Sequence, residues 1–280
     1  MSTAKGSNIE KNLEADREGL AWQTGVWDRI AQTYLREADK RVIPVVEQVI
    51  ARAALAPGQR VLDLGTGTGS VAIRAASLVA PGGQVIGVDI SPEMLALAQQ
   101  RVATLGLNNV TFREGRGEAI PAADSAFDSV LASLSLMYVI DRAAAAREIA
   151  RVLRPGGRFV AAVWAGPEQC DIVWFQQTAG RFAPTPPVAG VGPGALADPT
   201  PFLAQLADAG IDIHVETETL GFDFDDFTSA WDLLAKVTTA QLASERQQEA
   251  QAAVLAAMWP HGDGQRHFRN VTQFVVGQRR

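Results

Sequence analysis

Apolar positions in this chain follow a helical period at first and then alternate between strand-like and helix-like segments. Between residues 20 and 56, apolar side chains recur at the three- and four-residue spacing of helices. Short apolar runs then predict strands at 60–65, 82–90, 110–115, 127–136 and 158–164, separated by predicted helices at 69–79, 91–106 and 141–157. This alternation is typical of βαβ units, in which helices cover both faces of a parallel sheet.

The alternation changes after Trp164. A proline-rich stretch at 181–201 predicts a loop, and a helix follows at 198–210. Residues 211–222 alternate in polarity, as expected for a strand near a sheet edge. Two helices are predicted within 225–258, and a last strand is predicted at 268–278.

Composition narrows the classes of function. The chain has 280 residues, of which 47% are hydrophobic and 20% charged, and a net charge of −6. These values are ordinary for a globular enzyme and argue against a nucleic-acid-binding protein, which needs clustered basic residues. The single cysteine, Cys170, fits a reducing compartment. No signal peptide or membrane-span pattern is found, so we expect a cytoplasmic protein.

The stretch "VLDLGTGTGS" at 61–70 carries three glycines in five positions, directly behind an apolar run. Glycines between a strand and a helix allow a ligand to approach the backbone closely. The spacing Gly65-x-Gly67-x-Gly69 departs from the dinucleotide pattern G-x-G-x-x-G, and the G-K-[ST] element of a P-loop is missing. The carboxylate of Asp63 would repel a pyrophosphate. The loop therefore favours a zwitterionic ligand without phosphate.

A second acidic residue, Asp89, ends the next predicted strand. A carboxylate at this position can accept hydrogen bonds from both hydroxyls of a ribose. Asp89 could instead cap the following helix, but Ser91 already fills that position. A ribose contact alone does not separate an adenosine sulfonium from NAD.

Four blocks of the sequence together carry a resemblance to a known family. They are "VLDLGTGTG" (61–69), "VIGVDISPEMLALA" (85–98), "AFDSVLASLSLMYVID" (126–141) and "REIARVLRPGGRFV" (147–160). In this order and spacing the chain resembles the class I S-adenosylmethionine-dependent methyltransferases, in particular the small-molecule group related to the ubiquinone/menaquinone C-methyltransferases. "WDRIAQTY" (27–34) and "LADPTPFLAQLADAGI" (196–211) extend the resemblance over most of the chain.

The resemblance implies an α/β, Rossmann-like fold with a mostly parallel seven-stranded sheet and helices on both faces. It implies an N-terminal helical cap (1–55), a cofactor-binding core (56–165), and a loop, helix and edge strand that complete this core (166–222). A helical lid (223–264) is then inserted between the last two strands, and the last strand occupies 265–280.

The resemblance also implies S-adenosylmethionine as the cofactor, with S-adenosylhomocysteine as its product. Gly65, Thr66 and Gly67 would line the methionine part, and Asp63 would orient the loop or accept a hydrogen bond from an amine. Asp89 would hold the ribose, with Ile90 and Met94 against the adenine, and Ser133 would lie beside the sulfonium. Tyr34 either closes on the cofactor carboxylate or is a core aromatic residue.

One stretch departs from the family pattern. The family commonly shows G-D-A-E, whose aspartate accepts a hydrogen bond from the adenine amino group, whereas this chain reads "GRGE", with Arg116 in that position. Arginine offers no acceptor. Glu118 could take over, Arg116 could stack on the ring, or backbone groups around Gly117 could recognise the base.

The methyl acceptor is less defined by the sequence. Tyr138, Trp174 and Trp231 are candidate substrate contacts, although the aromatic residues of the lid could equally form its own core. We assign no catalytic residue, because an activated methyl group does not require a base. We also predict no metal site, since the histidines lack ligands at metal spacing.

The leading hypothesis is therefore methyl transfer to a C, N or O atom of a small, rather apolar molecule. The alternatives are a nicotinamide-dependent oxidoreductase and a relative that binds the cofactor without transferring a methyl group. We expect no nucleic-acid partner, and monomer and homodimer both stay open.

Overall fold

A seven-stranded sheet in the order β3-β2-β1-β4-β5-β7-β6 forms the centre of the computed structural model, which describes residues 3–239 and 241–280. Strands β1 to β5 pair in parallel, and β7 is antiparallel to both of its neighbours. The strands are β1 (Arg60–Leu64), β2 (Gln84–Asp89), β3 (Val110–Glu114), β4 (Phe127–Ser133), β5 (Leu153–Trp164), β6 (Ile211–Phe224) and β7 (Arg266–Arg279). The mostly parallel seven-stranded sheet expected from the sequence is confirmed.

The helices before β6 are α1 (Thr3–Thr33), α2 (Asp39–Ala53), α3 (Ser70–Val79), α4 (Pro92–Thr104), α5 (Arg142–Val152), α6 (Asp171–Gly180) and α7 (Thr200–Asp208). Between β6 and β7 lie α8 (Phe227–Leu234), α9 (Lys236–Thr239) and α10 (Ser244–Met258). A π-helical turn, Tyr34–Ala38, joins α1 to α2, and a 3₁₀ turn, Leu136–Tyr138, follows β4. The described part of the lid insertion therefore holds three helices rather than the two predicted.

Local sequence signals set several helix boundaries. Ser91 Oγ accepts a hydrogen bond from Met94 N at 3.1 Å, and Asp141 Oδ1 accepts one from Ala144 N at 2.9 Å, so both residues are N-caps as their positions predict. The helix predicted at 141–157 is too long, because α5 ends at Val152 and β5 begins at Leu153. Pro155 cannot donate a helical hydrogen bond, and Leu153 pairs with Phe127 of β4 instead.

The cap is attached to the sheet through α2. Val45, Val46 and Val49 are buried in the main core, and α2 packs on α3 and β5. Arg52, near the end of α2, pairs with Glu216 at 2.9 Å and lies over the ring of Phe274, with its guanidinium carbon 4.1 Å from the ring centroid. Apolar burial and the contacts of Arg52 with β6 and β7 therefore hold α2 against the sheet.

Strand order determines where a ligand can bind. β1 lies between β2 and β4, so β2 and β3 are added on one side of β1 within the sheet and β4 and β5 on the other. The crevice at the carboxyl ends of strands beside such a switch point is the usual ligand site of open α/β sheets. Here the loop after β1, the end of β2 and the end of β4 all reach that crevice.

Gly87 of β2 lies under the glycine loop with no room for a side chain. A Cβ atom at this position would lie 2.6 Å from Phe112 Cδ1 and 2.8 Å from Thr66 Oγ1. We therefore expect Gly87→Ala to lower the free energy of unfolding by about 1–3 kcal/mol, measured by urea denaturation. Gly180→Ala is the matched control, since a Cβ there meets nothing within 4 Å. Equal stability of the two variants would contradict the packing argument.

Candidate cofactor site

A cavity of about 810 Å³, counted to its open mouth, lies at the carboxyl ends of β1 to β4. Its floor comes from the sheet and its roof from helix α1. The sheet side contributes Leu64, Gly65, Gly67, Asp89, Ile90, Met94, Gly115, Arg116, Gly117, Glu118, Ser133, Leu134, Ser135, Leu136, Tyr138, Val139 and Ile140, and the cap contributes Leu20, Gln23, Trp27 and Tyr34.

The glycine loop uses its own amide groups to hold its shape. Gly65, Gly67 and Gly69 have φ angles of 72°, 52° and 87°, which non-glycine residues rarely adopt. The N–H groups of Gly65 and Thr66 donate to Val88 O, and Gly67 N donates to Asp89 Oδ2. Gly69 N donates to Thr66 O at 2.9 Å. With these four amides bonded inside the protein, the loop does not offer the ring of free donors that binds a phosphate.

Asp63 holds the loop from behind. Its side chain is buried, and Oδ2 accepts hydrogen bonds from Thr66 Oγ1 at 2.6 Å and from Ala72 N at 3.0 Å. The other carboxylate oxygen, Oδ1, is buried without a hydrogen-bond partner. Burial raises the pKa of this carboxyl to about 7, and the nearby charge of Asp89 adds to the rise. Asp63 thus orients the loop, which is one of its two expected roles.

Asp89 connects the end of β2 to the glycine loop. Oδ2 accepts the Gly67 N–H at 2.8 Å, and Oδ1 accepts the Ser91 N–H at 3.0 Å. Burial raises the pKa of the Asp89 carboxyl, although these amide donors oppose that rise. Each oxygen keeps a further lone pair for a donor in the cavity. The carboxylate is therefore fixed in orientation and still able to accept hydrogen bonds from a ligand.

Helix α1 closes the cavity with aromatic side chains. The ring of Trp27 meets Tyr138 edge-on at 4.9 Å between centroids and Tyr34 edge-on at 6.2 Å. Burial raises the pKa of both tyrosines, and Asp39 adds to the rise for Tyr34. Their hydroxyls therefore keep their protons at neutral pH. Tyr34 also begins the π-helical turn, a local departure that is frequent at functional sites.

Gln23 is a polar residue of the roof that the sequence analysis missed. Its side chain is 5% exposed and lines the cavity, yet Nε2 has no hydrogen-bond partner. A buried amide without a partner costs stability, which indicates a position suited to a ligand. Leu20, Gln23, Trp27 and Tyr34 share one face of the cap at spacings of three, four and seven residues. A glutamine between Leu20, Trp27 and Tyr34 on one helix face was the sequence signal that could have identified Gln23 as a site residue.

Ser133 and its neighbours form the wall at the end of β4. Leu134 has a φ of 57°, in the left-handed region that residues other than glycine rarely adopt. Such backbone strain is common beside active sites. Ser135 Oγ donates to Leu64 O at 2.7 Å. A Cβ atom on Gly65 would lie only 2.8 Å from this Oγ. This close approach explains the need for glycine at position 65.

Asp39 ties the cap to the back of the glycine loop. Its carboxylate is 8% exposed; Oδ1 accepts hydrogen bonds from Thr68 Oγ1 at 2.9 Å and from Ser70 Oγ. Arg101 of α4 completes the cluster, with Nη2 3.1 Å from Asp39 Oδ2 and Nη1 donating to Thr68 O at 2.7 Å. Three segments that are distant in sequence therefore meet at the buried carboxylate of Asp39.

The end of β3 carries the departure noted in the sequence. Glu118 Oε1 accepts hydrogen bonds from Ile140 N at 3.0 Å and from Asp141 N at 3.2 Å, so this carboxylate holds the segment after β4. Arg116 is exposed at the cavity wall, and Gly117 is buried beside it. A Cβ on Gly117 would lie 3.2 Å from Val139 Cγ2, which leaves little room for a side chain.

Most of the predicted residues meet in this cavity. Those that line it are Tyr34, Gly65, Gly67, Asp89, Ile90, Met94, Gly117, Glu118, Ser133 and Tyr138. Thr66 is buried behind the loop, where its hydroxyl donates to Asp63. Thr66 and Asp63 therefore support the wall of the cavity without forming part of it.

Two predicted substrate contacts lie outside this cavity. Neither Trp174 nor Trp231 lines the cavity. Trp231 is 5% exposed and lies against Phe175 and Phe227, with ring centroids 6.4 and 5.9 Å apart. Trp174 is half-buried against the main core. Trp231 therefore belongs to an aromatic cluster between α6 and the lid helix α8.

Comparisons with known proteins agree with this geometry. The family described as "Methyltransferase domain" matches residues 55–172. A ubiquinone/menaquinone biosynthesis C-methyltransferase of Shewanella frigidimarina is 32% identical over 192 residues, which cover 64% of this chain and 72% of the relative. The chain belongs to the class I S-adenosylmethionine-dependent methyltransferases.

Other similarities of this methyltransferase are more limited. An uncharacterised protein of Mycobacterium tuberculosis is 37% identical over 131 residues, 47% of this chain and 46% of the relative. The alignment thus spans slightly less than half of that relative. The crystal structure of the YcgJ protein from a Bacillus species has a TM-score of 0.62 at 20% identity, covering 84% of this chain and 97% of the other. At this identity the likeness concerns the fold alone.

The residues of the cavity fit the cofactor that the family implies. A Cβ on Gly67 would meet nothing within 4 Å, so the backbone is open to the cavity at the loop. The oriented carboxylate of Asp89 lines the cavity and can accept hydrogen bonds from ribose hydroxyls. Carboxylates and bonded amides suit a cationic, phosphate-free nucleoside.

Among the residues that the structure describes, no helix is both long and apolar enough to cross a membrane. They also contain no group of three or more His, Cys, Asp or Glu side chains arranged to hold a metal ion.

Replacement of Asp63 by Asn should make the pH dependence of stability flatter. The carboxyl binds its proton more tightly in the folded state, where its pKa is about 7, than in the unfolded state, at about 3.9. Its contribution to stability is therefore present below about pH 4 and is lost as the pH rises through 7. The melting temperature of Asp63→Asn minus that of wild type should therefore be larger at pH 8 than at pH 5. A difference that is the same at both pH values would contradict the buried charge.

Removing the charge of Asp39 should loosen the cap. Asp39→Asn keeps an acceptor for the two hydroxyls but loses the ion pair with Arg101, at an expected cost of about 1–3 kcal/mol. Limited proteolysis within α1 should accelerate in this variant. Glu47→Gln is the matched control, because its ion pair with Arg74 is exposed. Unchanged cleavage in Asp39→Asn would mean that apolar packing alone holds the cap.

Proposed function

We propose that this protein transfers a methyl group from S-adenosylmethionine to a C, N or O atom of a small, rather apolar molecule. The observation that carries the proposal is the hydrogen bond between Gly67 N and Asp89 Oδ2. It occupies a loop amide that a dinucleotide phosphate would need and holds a carboxylate where a ribose binds. Membership of the methyltransferase family supports the same cofactor.

In this proposal the sheet side of the cavity holds the cofactor. Asp89 accepts the ribose hydroxyls, and Ile90 and Met94 contact the base. The methionine part lies along Gly65 and Gly67, with Asp63 and Thr66 supporting the loop behind them. Ser133 and Tyr34 border the amino-acid end, and Gly117 and Glu118 border the base.

When bound, S-adenosylmethionine supplies a methyl carbon that is activated by the positive charge on sulfur. The protein supplies alignment and exclusion of water. Trp27 of the cap and Tyr138 of the sheet side meet edge-on, with ring centroids 4.9 Å apart, and so close one side of the cavity. The raised pKa of Tyr138 keeps its hydroxyl protonated, so it can orient an acceptor by a hydrogen bond but does not act as a phenolate base.

The acceptor would contact the roof of the cavity. Leu20, Trp27 and Ile140 are apolar, and the unpartnered amide of Gln23 offers one polar contact among them. This combination suits a molecule with a mostly apolar body and one polar group. We therefore propose Tyr138, Trp27 and Gln23 as acceptor contacts, in place of Trp174 and Trp231.

The wider setting belongs to the same proposal. The chain would act on a small-molecule partner in the cytoplasm, a location that the free, buried thiol of Cys170 supports. The cap at 1–55, the core at 56–165 completed by 166–222, the lid at 223–264 and the last strand at 265–280 would be its functional parts. The cap, rather than the lid, would provide the roof over the acceptor.

The nicotinamide alternative is less consistent with the loop. A dinucleotide needs donors for its pyrophosphate, and the amides of Gly65, Thr66, Gly67 and Gly69 are already bonded within the protein. No comparable observation favours hydride transfer.

Asp89→Ala should abolish cofactor binding. It removes two charge-assisted hydrogen bonds to the ribose, each worth about 1.5–3 kcal/mol, so the dissociation constant should rise by about 100-fold or more. Isothermal titration with S-adenosylhomocysteine measures this change. Tyr138→Phe and Asp212→Ala, an exposed carboxylate on β6, should bind as wild type. Binding of NAD or NADP to wild type, with none of S-adenosylhomocysteine, would reject the proposal.

A further inference from the structure

The carboxyl ends of three adjacent strands set the direction of a bound nucleoside. β1, β2 and β3 are neighbours in the sheet, and they end at the glycine loop, at Asp89 and at residues 115–118. This inference rests on the proposed function: a ligand with its tail at the loop and its ribose at Asp89 extends its base toward the end of β3. The cavity reaches that end, since 115–118 all line it.

Arg116 is the cation at this end of the cavity. It lies at the wall, and its guanidinium has no hydrogen bond or ion pair with any residue that the structure describes. Its backbone is fixed in a tight turn, because Ala119 N donates to Arg116 O at 3.1 Å and the two residues form a β-bridge. A fixed backbone with a free guanidinium leaves the side chain available to a ligand.

The neighbouring carboxylate is committed elsewhere. Glu118 directs Oε1 to the N–H groups of Ile140 and Asp141, which fixes its side chain toward the segment after β4. Gly115 N donates to Asp89 O at 2.9 Å, so this amide is also occupied. At 115–118, Arg116 is therefore the residue whose side chain makes no hydrogen bond or ion pair with the described residues, and its guanidinium is a donor.

Donors and acceptors read different edges of a purine. An adenine amino group needs an acceptor, whereas ring nitrogens and a 6-oxo group need donors. Guanidinium carries only donors. We propose that Arg116 is a specificity-determining residue that donates to N7, an acceptor that adenine and hypoxanthine share, and to the 6-oxo group where the base carries one. The site then does not require the exocyclic amine and accepts a hypoxanthine nucleoside as well as adenosine.

The test compares S-adenosylhomocysteine with S-inosylhomocysteine, whose base carries a 6-oxo group and an N1 proton in place of the 6-amino group. Isothermal titration gives the ratio of their dissociation constants for wild type and variants. Wild type should bind both within about threefold. Arg116→Asp introduces an acceptor for the amine and should shift the ratio at least about tenfold toward adenosine, with Arg116→Ala in between. Arg113→Asp, the same charge change outside the cavity lining, should keep the wild-type ratio.

Three results would overturn the inference, and each has a distinct meaning. If wild type prefers adenosine by tenfold or more and Arg116→Ala keeps that preference, another group reads the amine. Gln23→Leu and Glu118→Gln then identify which side chain does so. If wild type binds neither nucleoside, the proposed cofactor itself fails and the inference fails with it. Binding of both ligands with a ratio that no Arg116 variant changes would also reject a role for this residue.

Discussion

The buried carboxylate of Asp39 is the constraint on which the cavity depends. It accepts hydrogen bonds from Thr68 and Ser70 at the end of the glycine loop and pairs with Arg101 of α4. Asp39 follows directly on the π-helical turn that begins at Tyr34. The same contact therefore fixes the back of the loop and the point from which α1 crosses the carboxyl ends of the strands. Without that crossing, the crevice of the sheet would have no roof.

The loop and its surroundings explain why the site suits a cation without phosphate. The loop amides are bonded to Val88, Asp89 and Thr66, so the protein presents oriented carboxylates to the cavity in place of N–H groups. Asp89 keeps its position through two amide donors, although burial opposes its charge. A cationic ligand would offset part of that cost, because an opposite charge stabilises the ionised form of a buried carboxylate. The glycine spacing and the acidic residues thus act together.

Short-range patterns in the sequence were sufficient for the sheet wall of the site. The glycine loop, Asp89 and the Ser91 cap each depend on residues a few positions apart, so their conformation could be predicted. Gln23 and Asp39 were missed because their roles depend on contacts formed only in the folded chain; Asp39 meets Ser70 and Arg101, 31 and 62 residues away. Trp174 and Trp231 were assigned to the acceptor because aromatic content does not separate a lid core from a pocket wall. Burial against Phe175 decides for the core in the case of Trp231.

The two walls of the cavity therefore have different physical origins. The sheet wall consists of backbone turns and carboxylates whose geometry follows from the strand order, so it suits one cofactor class closely. The roof consists of side chains on one face of α1, which is tied to α4 by the hydrogen bond from Ser91 Oγ to Asp28 Oδ1 at 2.6 Å and by the packing of Ala31 on Met94 and Leu97. Side chains on a helix face can change without altering the helix itself. In the proposed function, differences in acceptor among proteins with this sheet would then arise at positions such as Leu20, Gln23 and Trp27, while the loop and Asp89 would keep the contacts to the nucleoside.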